Sequence, residues 1–505
     1  MSRITLDIDL NRVEGDLEFQ LELEDGIVTD ARCIGTLYRG FEQLLIGRAP
    51  RDALVITPRV CGICGTAHLY AATRALEQLA GITPPAHAVH VRNLCLLAET
   101  LQSDLRQTFL FFTPDFCDTA YAGHPLASEL QQAFAPLKGD VVRGCLRATR
   151  DIVGIVAIFG GQWPHSTYML PGGISQPANA RRLLDTRDIL ARTSEWFENA
   201  VLGGPLADWL AIDSADALFR WQAGAGERER SALGLFNRFT RDIGLHRLGR
   251  GTPHLLSFGV NPLPGEAGSQ WPSGVFDGDS GRIEALDHLL INEHVRHSWF
   301  LDYPGGRHPW QGETIPEHLP DSDRYTWAKA PRYGDRVMQT GPLAQLRIAG
   351  DPLIADLLAS EGDNTWLRQF ARLRRAARLL ALADETLAAL RAVIDTPHFV
   401  DPGIDTWPDG DSFGLVEAAR GALGHWLRVR DGVIEKYQIV TPTAWNASPR
   451  DSAGRHGHWE QSVIGLRVAD PDHPLEIGHI VRSHDPCLVC TVHCLGSARR
   501  LHIDV

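Results

Sequence analysis

The sequence predicts an α+β fold, mainly α: a bundle of long helices around a buried metal site, with small peripheral β-sheet or hairpin regions at both ends of the chain. Three observations carry that prediction. Helical periodicity fills long stretches, most cleanly 366–395, which has no interior Gly or Pro. Alternating apolar and polar residues mark strands near each end, with Asp25-Gly26 and Asp431-Gly432 as tight-turn dipeptides. Finally, Cys61-Gly62-Ile63-Cys64 and Cys487-Leu488-Val489-Cys490 set one C-x-x-C pair near the start and another near the finish.

The elements follow in order, and the whole chain, 1–505, is expected to form a single unit. Residues 1–58 read as an N-terminal β region, in which Leu17–Leu23 alternates and Ile27–Cys33 pairs back across Asp25-Gly26. Residues 59–200 and 366–395 read as the helical bundle. Helices are expected from the first cysteine pair to Leu79, then over 88–112, 126–137, 140–158 and 177–201. Two more are expected over 226–243 and 283–297. Otherwise 202–345 is an irregular region rich in Gly, Pro and Trp, with short strands. Residues 414–493 hold the second hairpin, Gly421–Val429 against Val433–Val440, and the C-terminal cysteine motif. Residues 494–505 form a short tail.

Composition narrows the function. At 505 residues and 44% hydrophobic content the chain can bury a large core. Its net charge is −13, from 49 basic and 62 acidic residues. That balance argues against a nucleic-acid partner, because phosphate binding needs clustered Lys and Arg. The dispersed charges read as a solvated surface. No apolar run reaches membrane-spanning length; the stretch from Asp151 to Trp163 is too short. The opening residues alternate and are charged, unlike a signal peptide. Without a secretory signal the nine Cys are expected to be reduced. Cys33, Cys95, Cys117 and Cys145 lack ligand spacing and read as core.

A C-x-x-C turn lets two thiolates approach one metal from the same side, and four thiolates make a soft, tetrahedral-type site. Structural zinc is the plainest occupant of such a set. Zinc ribbons, however, place their pairs about 15–20 residues apart. Here more than four hundred residues intervene, so the fold must bring the chain's two ends to one buried spot. A site closed in that way is poorly explained as a staple for a local fold.

The flanking residues are more specific. Arg59-Val60-Cys61-Gly62-Ile63-Cys64-Gly65-Thr66-Ala67-His68 and Asp485-Pro486-Cys487-Leu488-Val489-Cys490-Thr491-Val492-His493 closely resemble the paired signatures of the large, catalytic subunit of nickel–iron hydrogenases, in their uptake and sensory branch. The likeness extends to Asn11-Arg12-Val13-Glu14-Gly15-Asp16, to 35–42, to 325–333, to Glu417-Ala418-Ala419-Arg420-Gly421 and to 437–446. Asp16 replaces a usual His, Ala419 a frequent Pro and Thr443 a frequent Ser. The segment 325–333 is expected to pack and is given no chemistry.

The resemblance implies an enzyme that splits dihydrogen heterolytically, or a hydrogen sensor of low turnover built on the same centre. It implies nickel held by Cys61, Cys64, Cys487 and Cys490. Cys64 and Cys490 would bridge to an iron bearing carbonyl and cyanide ligands. His68 would donate to the sulfur of Cys64. Arg420 and Thr443 would donate to cyanide, with Arg420 alternatively the proton acceptor. Asp104 would orient Arg420, and Asp485 would lie beside it. Glu14 would relay protons from Cys487. Glu42, the carbonyl of Ile439 and His493 would hold magnesium.

Electrons need a route, and no further Cys set could hold an iron–sulfur cluster. The resemblance supplies a small subunit carrying iron–sulfur clusters, which passes electrons to a downstream acceptor; several of the 13 Trp are expected at that interface. It also implies a cytoplasmic uptake enzyme, or one held at the membrane or in the periplasm through the small subunit, with no direct membrane span. The tail 494–505 resembles an extension that some relatives cleave and others keep. Ile63 and Phe109-Leu110-Phe111-Phe112 resemble the mouth of the family's gas channel, where bulk would slow oxygen; the plain alternative is core packing.

Overall fold

The computed structural model describes residues 3–9, 12, 17–223, 226–266, 268–320 and 322–487. Strands β1 (Arg3–Asp9), β2 (Leu17–Glu24) and β3 (Ile27–Gly35) form an antiparallel sheet in that order. Asp25 and Gly26 both take positive φ, 51° and 77°, the turn whose twist suits a hairpin. Alternation puts Leu17, Phe19, Leu21 and Leu23 on the buried face. They pack on Trp459, Ile477 and Ile480, so the first strands grip the last part of the chain.

The helical layer comprises α1 (Gly65–Ala80), α2 (Ala86–Arg106), α3 (Asp140–Gly160), α4 (Ala180–Trp196) and α5 (Thr365–Ala392). α2 packs against both α3 and α5, and α4 packs against the same two. α2 and α4 each run on into a wider π-type turn, Gln107–Phe112 and Phe197–Leu202. Asn179 and Asn364 cap α4 and α5, each side chain accepting from a backbone N–H three residues on. The expected helix over 226–243 is interrupted at Ser231, which caps a second helix, Ala232–Asp242.

One expected helix is absent. Within 283–297, Ile291–His294 is strand β4, paired antiparallel with β5 (Ala330–Tyr333), Ile291 opposite Tyr333. Pairing with a segment distant in sequence overrides local periodicity here. At the C-terminal end, β6 (Gly410–Ala418), β7 (Gly421–Arg430) and β8 (Val433–Val440) form a meander. α1 lies on this sheet; a Cβ on Gly414 would stand 2.0 Å from the carbonyl oxygen of Ala71, so only glycine allows the approach. α6 (Leu475–Ser483) then leads back to the first cysteine turn.

One expectation about side chains is corrected. The dispersed charges are not all at the surface: Arg92, Arg332, Arg368, Arg372, Arg374 and Arg375 are buried. Arg92 shows how this is tolerated, donating to both oxygens of Glu77 and to the carbonyls of Leu170 and Gly173. Of the tryptophans, Trp209, Trp221, Trp271, Trp366, Trp407, Trp426, Trp445 and Trp459 are buried, and the other five are half-buried.

Candidate metal centre

The two ends of the chain meet at sulfur. Cys61 and Cys64 occupy the turn that opens α1, with Cys64 at its N-cap position. Cys487 arrives two residues after Asp485, and its Sγ stands 3.6 Å from that of Cys61. All three cysteines are buried in one small cluster with Ile63 packed against it. Cys490, His493 and Glu14 lie outside the described residues. The turn is tight at Gly65, where a Cβ would stand 3.0 Å from the carbonyl oxygen of Pro58.

Arg420 projects from the turn between β6 and β7. Its Nε donates to the carbonyl of Asp485 at 3.2 Å, and its Nη2 pairs with Asp485 Oδ1 at 3.1 Å. Burial pulls the guanidinium's pKa down, but Asp485 and the sulfurs of Cys487, Cys61 and Cys64 outweigh it and raise the value well above the ordinary range. Among the described residues, Arg420 Nη1 and Asp485 Oδ2 are buried without a hydrogen-bond partner. Thr443 Oγ1 accepts from the backbone N–H of Cys487 at 3.3 Å, leaving its own hydrogen to donate.

Asp104 reaches Arg420 by a different route from the expected one. It binds Arg375 through both carboxylate oxygens and lies 3.7 Å from Arg372 Nε. Arg375 in turn donates to the carbonyl of Ala419. Asp104 therefore anchors, through Arg375, the backbone just before Arg420. His68 is also held differently. Its Nδ1 is 3.0 Å from His425 Nε2, and His425 Nδ1 is 2.8 Å from the hydroxyl of Tyr437. The expected bond to the Cys64 sulfur is not among those the described residues form; the ring is drawn to His425, and Cys61 is the sulfur whose charge acts on it.

The comparisons with known proteins agree on one family. The profile described as nickel-dependent hydrogenase matches residues 39–138 and 144–493. The chain belongs to the nickel-dependent hydrogenase family. It is 32% identical to the periplasmic [NiFeSe] hydrogenase large subunit of Desulfomicrobium baculatum over 542 residues, covering 99% of this chain and 98% of that protein. It is 30% identical to the uptake hydrogenase large subunit of Rhodobacter capsulatus, covering 98% and 96%. The reduced Ni-Fe-Se hydrogenase of D. vulgaris Hildenborough superposes with a TM-score of 0.82 at 29% identity, covering 97% of this chain and 100% of that one.

The residues of this hydrogenase fit a nickel–iron centre. Soft sulfur donors converge in a buried cluster. The partnerless Nη1 of Arg420 is the kind of donor that anionic cyanide requires. Of the second expected metal site, Glu42 and Ile439 lie among the described residues and are in contact. Glu42 Oε1 accepts from the N–H of Ile439 at 2.8 Å, and its Oε2 accepts from Thr314 and lies 3.8 Å from Lys329 Nζ. Glu293 faces the same ammonium at 3.4 Å. Lys329 belongs to the segment expected only to pack, so that segment does carry a buried charge.

Some residues of the hydrogenase site were not anticipated from sequence. Glu99, on α2, accepts from the backbone N–H of Thr66 at 3.1 Å and of Ala67 at 3.2 Å, and from Trp163 Nε1 at 3.1 Å. It thus satisfies the first turn of α1 and steadies the cysteine turn. Its sequence signal is a single acid in an apolar helical stretch. Arg368, Arg372 and Arg375 fall on one stripe of α5, a spacing that could have shown them. Within the aromatic run Phe109 packs on Phe134 and Trp196, and Phe112 on Phe116 and Phe236, while Leu110 and Phe111 are half-buried. Ile63 lies against the sulfurs.

Burial raises the Glu99 carboxyl from 4.5 to about 7, opposed by its bonds from Thr66, Trp163 and Ala67. The folded state then binds this proton more tightly than the unfolded chain. Stability accordingly falls as pH rises from about 4.5 to about 7, and the loss is complete above that window. Glu99→Gln keeps an acceptor and removes the titration. Its thermal midpoint should decline less steeply across that window than the parent's, with Glu293 and Glu417, also raised to about 7, leaving a residual slope. An unchanged slope would contradict the assignment.

Proposed function

We propose that this chain is the large subunit of a hydrogen-oxidising uptake hydrogenase, with Cys61, Cys64, Cys487 and Cys490 holding nickel, and Cys64 and Cys490 also holding iron. The observation that carries the reading is the convergence of three sulfurs from opposite ends of the chain beneath Arg420. When bound, the nickel–iron centre supplies the electrophilic metals that polarise dihydrogen and take its electrons.

The chain's own residues do the rest. Arg420, fixed by Asp485, stays cationic and donates from Nη1 into the site. Its raised pKa makes it a poor proton acceptor, so the donor role is preferred to the base role. Thr443 offers its hydroxyl beside Cys487. Asp104 and Arg375 fix the backbone that aims Arg420. Buried apolar walls keep water from the sulfurs. Glu14 takes the proton away from Cys487, and Glu42 with Ile439 and His493 holds magnesium, tying down the end of the chain.

The same reading gives the enzyme an iron–sulfur small subunit as electron partner and a cytoplasmic location. The motifs that resemble the uptake and sensory branch support that location; the named periplasmic relative supplies the alternative. Among the described residues no helix is long and apolar enough to cross a membrane. Glu14→Gln tests the proton route. We expect hydrogen oxidation with an artificial acceptor, and hydrogen–deuterium exchange with solvent, to fall on the order of 10²-fold or more, with nickel content unchanged. Loss of nickel would show that Glu14 holds the site together instead.

A further inference from the structure

We propose that Asp115 is a positioning residue for the proton route, tying the segment that carries Glu14 to the segment that carries Cys487. It does so with one carboxylate, which binds Arg12 on one side and Arg482 on the other. The inference deepens the proposed function, since it rests on Glu14 as the carrier of the proton from Cys487.

The three groups come from three parts of the chain. Asp115 lies in the short turn Thr113–Cys117, which follows the π-type turn beyond α2. Arg482 lies in the last turn of α6, five residues before Cys487. Arg12 stands two residues before Glu14. The Asp115 side chain is only 3% exposed. Its Oδ1 accepts from Arg12 Nη2, and its Oδ2 accepts from Arg482 Nη1 at 2.7 Å. One carboxylate is thus shared between two guanidiniums. Burial pushes its pKa up, but Arg482, His479 and Arg12 outweigh burial and hold it below the usual carboxylate range.

Both arginines are fixed by more than the ion pair. Arg12 Nη1 donates to the carbonyl of Phe111 at 3.3 Å. The carbonyl of Arg482 accepts from Gln107 Nε2 at 2.5 Å and from the backbone N–H of Asp485 at 3.1 Å. Arg12 and Asp485 both take positive φ, 55° and 58°. Residues other than glycine keep that conformation where their surroundings over-determine it. The contacts of Arg12 with Asp115 and Phe111, and of Asp485 with Arg482 and Arg420, supply that constraint.

The consequence is one of distance. Two residues of chain span at most about 7 Å, so the place of Arg12 limits where the residue two further on can reach. Arg482 sets the start of the run to Cys487 in the same way. A proton crosses only when donor and acceptor come within hydrogen-bond reach, and a displacement of about 1 Å can cost on the order of 10²-fold. Asp115 acts by setting the spacing of the two segments, not by taking the proton itself.

The test is Arg12→Gln, which removes the ion pair at a side chain that is 30% exposed, made alone and together with Glu14→Gln. In the assembled enzyme, hydrogen–deuterium exchange with solvent should fall about tenfold or more. Para-hydrogen conversion, which needs splitting at the metals but no proton exit, should persist, with nickel content and carbonyl bands unchanged. In the Glu14→Gln background Arg12→Gln should add nothing further, because both changes act on one step. Asp115→Asn should give the same pattern; if it does not fold, the Arg12→Gln cycle decides. Exchange in Arg12→Gln within about twofold of the parent would overturn the proposal. So would loss of nickel, or an equal further fall in the Glu14→Gln background. If Glu14→Gln alone leaves exchange unchanged, the proposed proton route fails; if that variant is impaired and Arg12→Gln is not, only the role of Asp115 fails.

Discussion

Cys61→Ser should strip the protein of nickel and abolish hydrogen uptake. Cys61 is fully buried, and its sulfur lies 3.6 Å from that of Cys487. A serine oxygen is a hard donor that holds its proton at neutral pH, so it replaces neither the charge nor the softness of a thiolate. Binding to four sulfurs is cooperative in geometry, and three do not close a tetrahedral-type site. Nickel by elemental analysis should fall to background. Cys145→Ser is the control: Cys145 is also buried, but its sulfur donates to the carbonyl of Leu105 away from the site, and nickel should stay at the parent level. Near-normal nickel in Cys61→Ser would remove Cys61 from the ligand set.

Arg420→Lys should lower turnover on the order of 10²–10³-fold, the usual effect of losing one oriented donor in a buried site. Lysine keeps the charge but not the fork that grips Asp485 at Oδ1 and at the carbonyl together. Its ammonium would follow Asp485 and leave the position of Nη1 empty. Nickel content and thermal midpoint should remain close to the parent's. Turnover within about tenfold of the parent would mean that charge alone suffices, and that the fork has no role.

Much of this architecture could be read from residues close in sequence. The hairpins were legible because Asp25-Gly26 and Asp431-Gly432 supply the positive φ that their turns require. The long helices were legible because apolar periodicity runs unbroken over 365–392 and 180–196. The site was legible through its cysteines, whose spacing carries the chemistry. What sequence could not show depends on partners far along the chain. Ile291–His294 is a strand because Ala330–Tyr333 lies beside it. Arg375 is buried because Asp104 and the Ala419 carbonyl meet it there. His68 turns to His425, 357 residues away, and no local pattern announces that pairing.

The central claim is that the two ends of this chain close around nickel and a carbonyl- and cyanide-bearing iron. Infrared spectroscopy with metal analysis, on the enzyme purified without air, tests it most directly. The account predicts nickel together with iron in excess of it, because the small subunit's clusters also hold iron, and carbonyl and cyanide stretching bands that move when hydrogen is added. Zinc in place of nickel, with no such bands, would contradict it.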